Sequence, residues 1–208
     1  MLSVQLNKLG KKFNKEWIFR DLTYEIAAGQ KTVILGGNGS GKSTLLQVIS
    51  GFVTPNEGTV TYTRSGSNIL PEKIKSHISF ASPYLQLVEE LTLIEMLEHA
   101  KIFKPFVNDL SAAEVASLIE LPQAKNKLVK QFSSGMKQRL KLGLAVLADT
   151  SLLLLDEPVS NLDKKAIEWY KALIEAYTQG RTVIVCSNAI SDEYSFCDKE
   201  LSMMDFKK

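Results

Sequence analysis

Eight residues, Gly36-Gly37-Asn38-Gly39-Ser40-Gly41-Lys42-Ser43, constrain this chain more than any other stretch. They fit the pattern G-x-x-x-x-G-K-[ST], in which glycines let the backbone curl until successive N–H groups point inward as a nest for phosphate oxygens. Lys31 to Leu35 reads as a short buried strand entering the loop, and Gly41 to Ser50 as the helix leaving it. A phosphate chain would then rest on the positive end of that helix. Lys42 can place a point charge on the β- and γ-phosphates of a nucleotide, and the Ser43 hydroxyl can ligate Mg²⁺. Four fixed positions arise by chance about once in a hundred chains of this length. The flanking strand and helix make a phosphate-binding loop the better reading than an idle glycine turn.

At 208 residues there is room for one large α/β domain, or for a core with an inserted subdomain. Lys plus Arg is 25 and Asp plus Glu is 23, so the net charge is only +2 and no nucleic-acid partner is expected. Cys186 and Cys197 match neither metal-ligand spacing nor a disulfide framework, and read as reduced thiols. Met1 to Leu6 has no basic region or apolar core, so no signal peptide is expected. Leu142 to Leu155 is interrupted by Asp149, Thr150 and Ser151, too short to span a bilayer.

The first third alternates as strands do: Leu2 to Leu6, Trp17 to Ile26 and Thr59 to Thr63, separated by Gly10, Gly29 and the turn Pro55 to Gly58. Ile78-Ser79-Phe80 reads as another short strand. The middle is helical, with capping boxes at Thr92…Glu95 and Ser111…Glu114 opening the apolar stripes Leu93, Leu97, Ala100 and Val115, Leu118, Ile119. A helix runs from Gly135 to about Asp149. Leu152 to Leu155 then reads as a strand buried on both faces, as in a parallel sheet. A helix over Lys164 to Thr178 carries Ile167, Tyr170, Ile174 and Tyr177, and Thr182 to Val185 is a second buried strand. The expected fold is an α/β core with an antiparallel β layer near the N-terminus and a helical insert at about 84–133.

Asp156 and Glu157 stand at the carboxyl end of the first buried strand. An acidic residue there is where a phosphate-loop protein holds Mg²⁺, and Glu157 is placed to serve as general base for an attacking water. About twenty residues earlier, Ser133-Ser134-Gly135-Met136 precedes a helix and makes a second anion-receptive start. His77 and His99 match no motif.

In this order the pieces resemble the ATP-binding cassette of ABC transporters over nearly the whole chain, 1–208 as a single domain of the P-loop NTPase class. The resemblance implies ATP and Mg²⁺ as ligands, with Gly36 to Ser43, and Thr44 after it, as the Walker A loop. Leu152 to Glu157 corresponds to the Walker B strand and Ser160 to Asp163 to the D-loop, with Asp163 at the reaction centre. Ser133 to Met136 corresponds to the signature, usually Ser-Gly-Gly-Gln. Phe13 falls where the family stacks an aromatic on adenine, with Trp17 as runner-up. The core would comprise 1–83 and 134–208, and 84–133 the helical subdomain facing a permease.

Two positions depart from the family. Pro83 stands at the Q-loop glutamine, with Gln86 three residues later, and Asn188 stands at the switch histidine. Asn188 can donate to a γ-phosphate but cannot carry charge. The resemblance implies a cytoplasmic, peripheral subunit, dimeric as homodimer or heterodimer beneath a membrane permease. The compact length and the Phe132-Ser-Ser-Gly-Met136 variant look more like exporter cassettes. Two other readings stand beside it: a soluble cassette ATPase of the iron–sulfur assembly type, and a regulatory cassette impaired in hydrolysis.

Overall fold

A computed structural model describes residues 1–207. The chain runs β1 (Leu2–Phe13), β2 (Glu16–Ile26), β3 (Lys31–Leu35), α1 (Lys42–Ile49), β4 (Glu57–Arg64), β5 (Ser67–Ile69) and β6 (Ile78–Ala81). Helices α2 (Leu93–Phe103), α3 (Ala112–Leu118) and α4 (Ser134–Val146) follow. The chain finishes with β7 (Leu152–Asp156), α5 (Lys164–Tyr177), β8 (Thr182–Ser187), α6 (Ser191–Tyr194) and β9 (Lys199–Ser202). The strands form two sheets: an antiparallel one ordered β2-β1-β4-β5 and a parallel one ordered β6-β7-β8-β3-β9.

The parallel sheet has a core on each face, and the alternation of its strands assigns side chains to them. Leu152 and Leu154 of β7, Ile184 and Cys186 of β8 and Ile34 of β3 face the antiparallel layer and α1. Leu153, Leu155, Val183, Val185 and Val33 face the helices. The helical insert has no separate core, because Leu97, Val115, Ile119 and Val129 join the same cluster as Leu153 and Leu155. Both expected capping boxes form, at Thr92 with Glu95 and at Ser111 with Glu114.

Four local expectations need correcting. β1 does not stop at Leu6; it passes through Gly10 to Phe13, with register shifts on either side. A Cβ at Gly10 would lie 2.9 Å from the Trp17 ring, so the glycine lets that ring cross the strand rather than ending it. The helix expected to reach Asp149 ends at Val146, and Phe106 bridges Ala148 beyond it. The short strands β5 and β9 have no signature in the sequence pattern. Both are edge strands of three or four residues, too brief to show a period.

Arg181 is buried between the sheet and α4, and donates to Ser79 Oγ (2.9 Å), Thr150 Oγ1 (2.8 Å) and the Val146 carbonyl. It ties β6 to the entry of β7 and to the end of α4. In this frame Ala81 pairs with Leu155 in parallel register.

Gly143 of α4 packs against α3, and an added Cβ would lie 2.3 Å from Ile119 Cγ2. Gly143→Ala is expected to destabilise the protein by about 1–3 kcal/mol, the usual range for overpacking. Ile119→Ala removes the opposing methyl, so the double variant should lose less than the sum of the singles in chemical unfolding.

Candidate active site

The loop between β3 and α1 is shaped for an anion. Gly41 adopts φ +96°, a left-handed conformation that glycine alone takes without strain, and an added Cβ would meet Ile18 Cγ2 at 2.6 Å. Helix α1 has no side-chain cap and no acidic residue in its first turn, which leaves its N-terminal donors for a ligand. Cβ atoms at Gly37 and Gly39 would meet nothing within 4 Å. A cavity of about 250 Å³ opens there, lined by Asn38 to Thr44, Tyr84 and Glu157. Its size and backbone donors suit the phosphate end of a nucleotide.

The candidate side chains converge on this cavity from the carboxyl ends of three parallel strands. Lys42 Nζ donates to the carbonyls of Gly36 (2.7 Å) and Gly37 (3.2 Å) and to Asn188 Oδ1. The Asn188 amide donates in turn to Asn38 Oδ1 (2.8 Å) and Glu157 Oε1 (2.8 Å). One neutral side chain thus links the phosphate-loop lysine to the candidate base. Glu157 holds φ +45° and Ala189 φ +66°, sparsely populated for such residues. The Glu157 N–H bonded to the Cys186 carbonyl at 3.0 Å fixes the first of these turns.

Asp156 is buried at the end of β7, and its Oδ1 has no hydrogen-bond partner among the described residues. Burial, with Glu157 adding to it, pushes its carboxyl above the usual range, while Ser43, Lys42 and Ser82 pull the other way. A buried carboxylate oxygen left free beside the Ser43 hydroxyl fits a small hard cation such as Mg²⁺. Bound there, Mg²⁺ would neutralise charge on the β- and γ-phosphates. No cluster of three His, Cys, Asp or Glu side chains among the described residues could hold a metal by itself. Phosphate oxygens and water would supply the other ligands, as Mg²⁺ commonly requires.

The remaining residues singled out in the sequence do not line this cavity. Ser133 caps α4 by accepting from the Met136 N–H at 3.3 Å, and Asp163 caps α5 by accepting from the Ala166 N–H at 2.8 Å. Ser133, Gly135, Met136 and Asp163 line a second cavity of about 380 Å³ with Asn161. Ser134 opens α4 beside them, and a Cβ at Gly135 would lie 3.3 Å from the Asn161 carbonyl. Phe13 is 49% exposed at the end of β1, beneath Lys11 Nζ. Trp17 is engaged by Lys12 and Arg20 at 5.1 and 4.6 Å from its ring. Pro83 offers only its carbonyl, which accepts from Lys141 Nζ.

Three further residues at the candidate site belong to no sequence motif. Tyr84 lines the phosphate cavity, Ser82 reaches Asp156, and Glu193 lies buried behind the switch. The alternation of β6 against β7 would have pointed to Ser82; Tyr84 and Glu193 carry no local signal. Glu193 sits in α6, tied to α5 by the Tyr170 hydroxyl donating to its carbonyl at 2.9 Å. Burial raises its carboxyl to about 7, with Glu157 and Asp156 adding to the effect. The Ser187 hydroxyl and the Val159 amide lower it part of the way, yet neither completes a hydrogen bond to its oxygens.

The family model described as ABC transporter matches residues 19–160. The chain is 30% identical over 207 residues to the uncharacterized ABC transporter ATP-binding protein YybJ of Bacillus subtilis, covering 96% of this chain and 92% of the relative. It is 28% identical to Nod factor export ATP-binding protein I of Rhizobium johnstonii, covering 95% of this chain but only 65% of that longer protein. A solved dimer of an ATP-binding cassette in a post-hydrolysis state, with ADP and phosphate bound, superposes with a TM-score of 0.81 at 27% identity. That match covers 96% of this chain and 93% of the other.

The raised carboxyl of Glu193 has a consequence for stability. The fold holds its proton while the unfolded chain releases it near 4.5, so the contribution is fully present below 4.5 and is lost as pH rises through about 7. Glu193→Gln should abolish that loss. Thermal or urea unfolding is expected to show the variant more stable than the parent at pH 8, by on the order of 2 kcal/mol, with the difference shrinking toward pH 5.

Proposed function

Because this chain belongs to the ABC transporter family, we propose that it is the ATP-hydrolysing subunit of a transporter, acting as a dimer beneath a separate permease. The observation that carries the proposal is the hydrogen-bonded line from Lys42 through Asn188 to Glu157 across an anion-shaped cavity. With ATP bound, Lys42 exchanges its loop carbonyls for the β- and γ-phosphates, and the loop amides hold the remaining oxygens. Ser43 and Asp156 would hold Mg²⁺, which would offset negative charge on the phosphates. Glu157 takes a proton from water in line with the γ-phosphate, and Asn188 orients the Glu157 carboxylate through Oε1. Asn188 donates as a neutral amide, so it stabilises developing phosphate charge less than a cation does. Slow basal turnover with intact binding follows from that.

The second cavity supports the dimeric reading. Ser133 to Met136 lie away from the phosphate loop of their own chain, at a helix start free of acidic residues. In a head-to-tail pair of cassettes such a helix start would close on the γ-phosphate held by the other copy, with Asp163 beside it. Phe13 would flank adenine. A groove of about 360 Å³ between core and insert, lined by Phe52, Ile78, Phe80, Leu85 and Lys104, offers the permease a place to dock. Phe52 is 65% exposed there, more than a solvated surface requires of a large apolar ring. No helix among the described residues is long and apolar enough to cross a membrane. The relative named for Nod factor export favours an exporter, and a peripheral place on the cytoplasmic membrane face goes with it.

Glu157→Gln is expected to bind ATP, to lose turnover by about 10²- to 10⁴-fold, the usual value of a general base, and so to accumulate a dimer. Size-exclusion chromatography with Mg-ATP reads the dimer, and Lys42→Ala, expected to bind ATP poorly, should remain monomeric. A Glu157→Gln protein that hydrolyses like the parent would remove Glu157 from the chemistry. Asn188→Ala should lower steady-state phosphate release by at least tenfold, about 1.4 kcal/mol in barrier, with ATP affinity changed far less. Equal rates would show that the amide does not serve the reaction.

A further inference from the structure

We propose that Ser82 is a positioning residue for the Mg²⁺ site: its hydroxyl occupies one oxygen of Asp156 and leaves the other for the metal. The proposal rests on the reading of Ser43 and Asp156 as the Mg²⁺ holders. Ser82 directly follows β6, and the parallel register that pairs Ala81 with Leu155 brings the next positions, Ser82 and Asp156, side by side. Both are buried. Ser82 Oγ lies 3.4 Å from Asp156 Oδ2, longer than a tight hydroxyl–carboxylate bond.

The hydroxyl has a defined direction. The Tyr84 N–H donates to Ser82 Oγ at 3.3 Å, which leaves the serine proton to go to Asp156 Oδ2. Oδ1 has no partner. The two oxygens of the carboxylate are thereby made unequal, one tied to the protein and one open beside Ser43. An untied carboxylate could turn to chelate with both oxygens or swing away, and either displaces the metal from the phosphate end of the cavity.

The turn that carries Ser82 is itself held. Lys141 of α4 donates to the Pro83 carbonyl, and Arg181 fixes β6 upstream through Ser79. Pro83 has a locked φ and no N–H, which stiffens the turn. Where the family has a glutamine side chain, this chain thus has a rigid Ser-Pro turn. The polar group it brings to the metal side is the hydroxyl of the preceding residue.

The test is the Mg²⁺ requirement of nucleotide binding, read with a fluorescent ATP analogue titrated with Mg²⁺ and again in EDTA. Loss of a group that orients a metal ligand typically costs about 10- to 100-fold in metal affinity. Ser82→Ala and Ser82→Val are therefore expected to need about 10- to 100-fold more Mg²⁺ than the parent, with binding in EDTA unchanged. Ser82→Thr, equal in shape to the valine variant but keeping the hydroxyl, should stay near the parent. Ser82→Val with the parental requirement would overturn the proposal, as would a threonine variant impaired as much as the valine one. The thr/val comparison holds whether or not the alanine variant folds well. A parent that binds the analogue equally with and without Mg²⁺, or a Ser43→Ala variant with unchanged Mg²⁺ dependence, would instead overturn the underlying assignment of the metal site.

Discussion

Successive side chains of β7, β8 and β3 enter two different cores, and that division governs the rest of the molecule. Leu152 and Leu154 pack toward the antiparallel layer, Leu153 and Leu155 toward the helices, all fully buried. Each fully buried leucine contributes roughly 1.5–3 kcal/mol relative to exposure, and a shift of one residue would exchange the two faces. Register is therefore held along the whole strand. Polar groups are admitted where the strands end, which is why Asp156 and Asn188 stand at the carboxyl end of the sheet and face the loop after β3.

Precision at that end comes from packing beyond it. The left-handed backbone at Glu157 and Ala189 is kept by the strands that precede each residue, and such strain persists only where surroundings over-determine it. Helix α4 braces two sides of the site. Gln138 donates to the Pro158 carbonyl at 2.8 Å, just past Glu157, and Lys141 holds the Pro83 turn. The same helix is capped by Ser133 and carries Gly135 in its first turn, so the two cavities are joined by one rigid element. Asn188 closes the network as a neutral group that both accepts from Lys42 and donates to Glu157.

The phosphate loop, the two capping boxes and the double-sided strands were legible because each obeys a local rule: glycine spacing, a three-residue capping interval, an unbroken apolar run. Gly10 is ambiguous in sequence, because a glycine that ends a strand and one that lets a neighbouring ring cross it look alike there. The short strands β5 and β9 exist because longer strands are available to pair with them. Glu193 could not be found in advance, since nothing near it in sequence tells that α6 buries its carboxylate behind Glu157.

By itself the sequence determined the ligand class and the order of the chemical parts. Those depend on residue types at fixed short spacing: a lysine and serine at a helix start, two acids at a strand end. The tertiary structure alone decided which parts meet within one chain. Lys42, Asp156, Glu157 and Asn188 come together because three parallel strands finish at the same end of the sheet, although up to 146 residues separate a bonded pair. Ser133, Gly135, Met136 and Asp163 gather at another cavity. Ser82 reaches Asp156 only through the register of β6 on β7, set by hydrogen bonds between strands and by the two cores that forbid a slip.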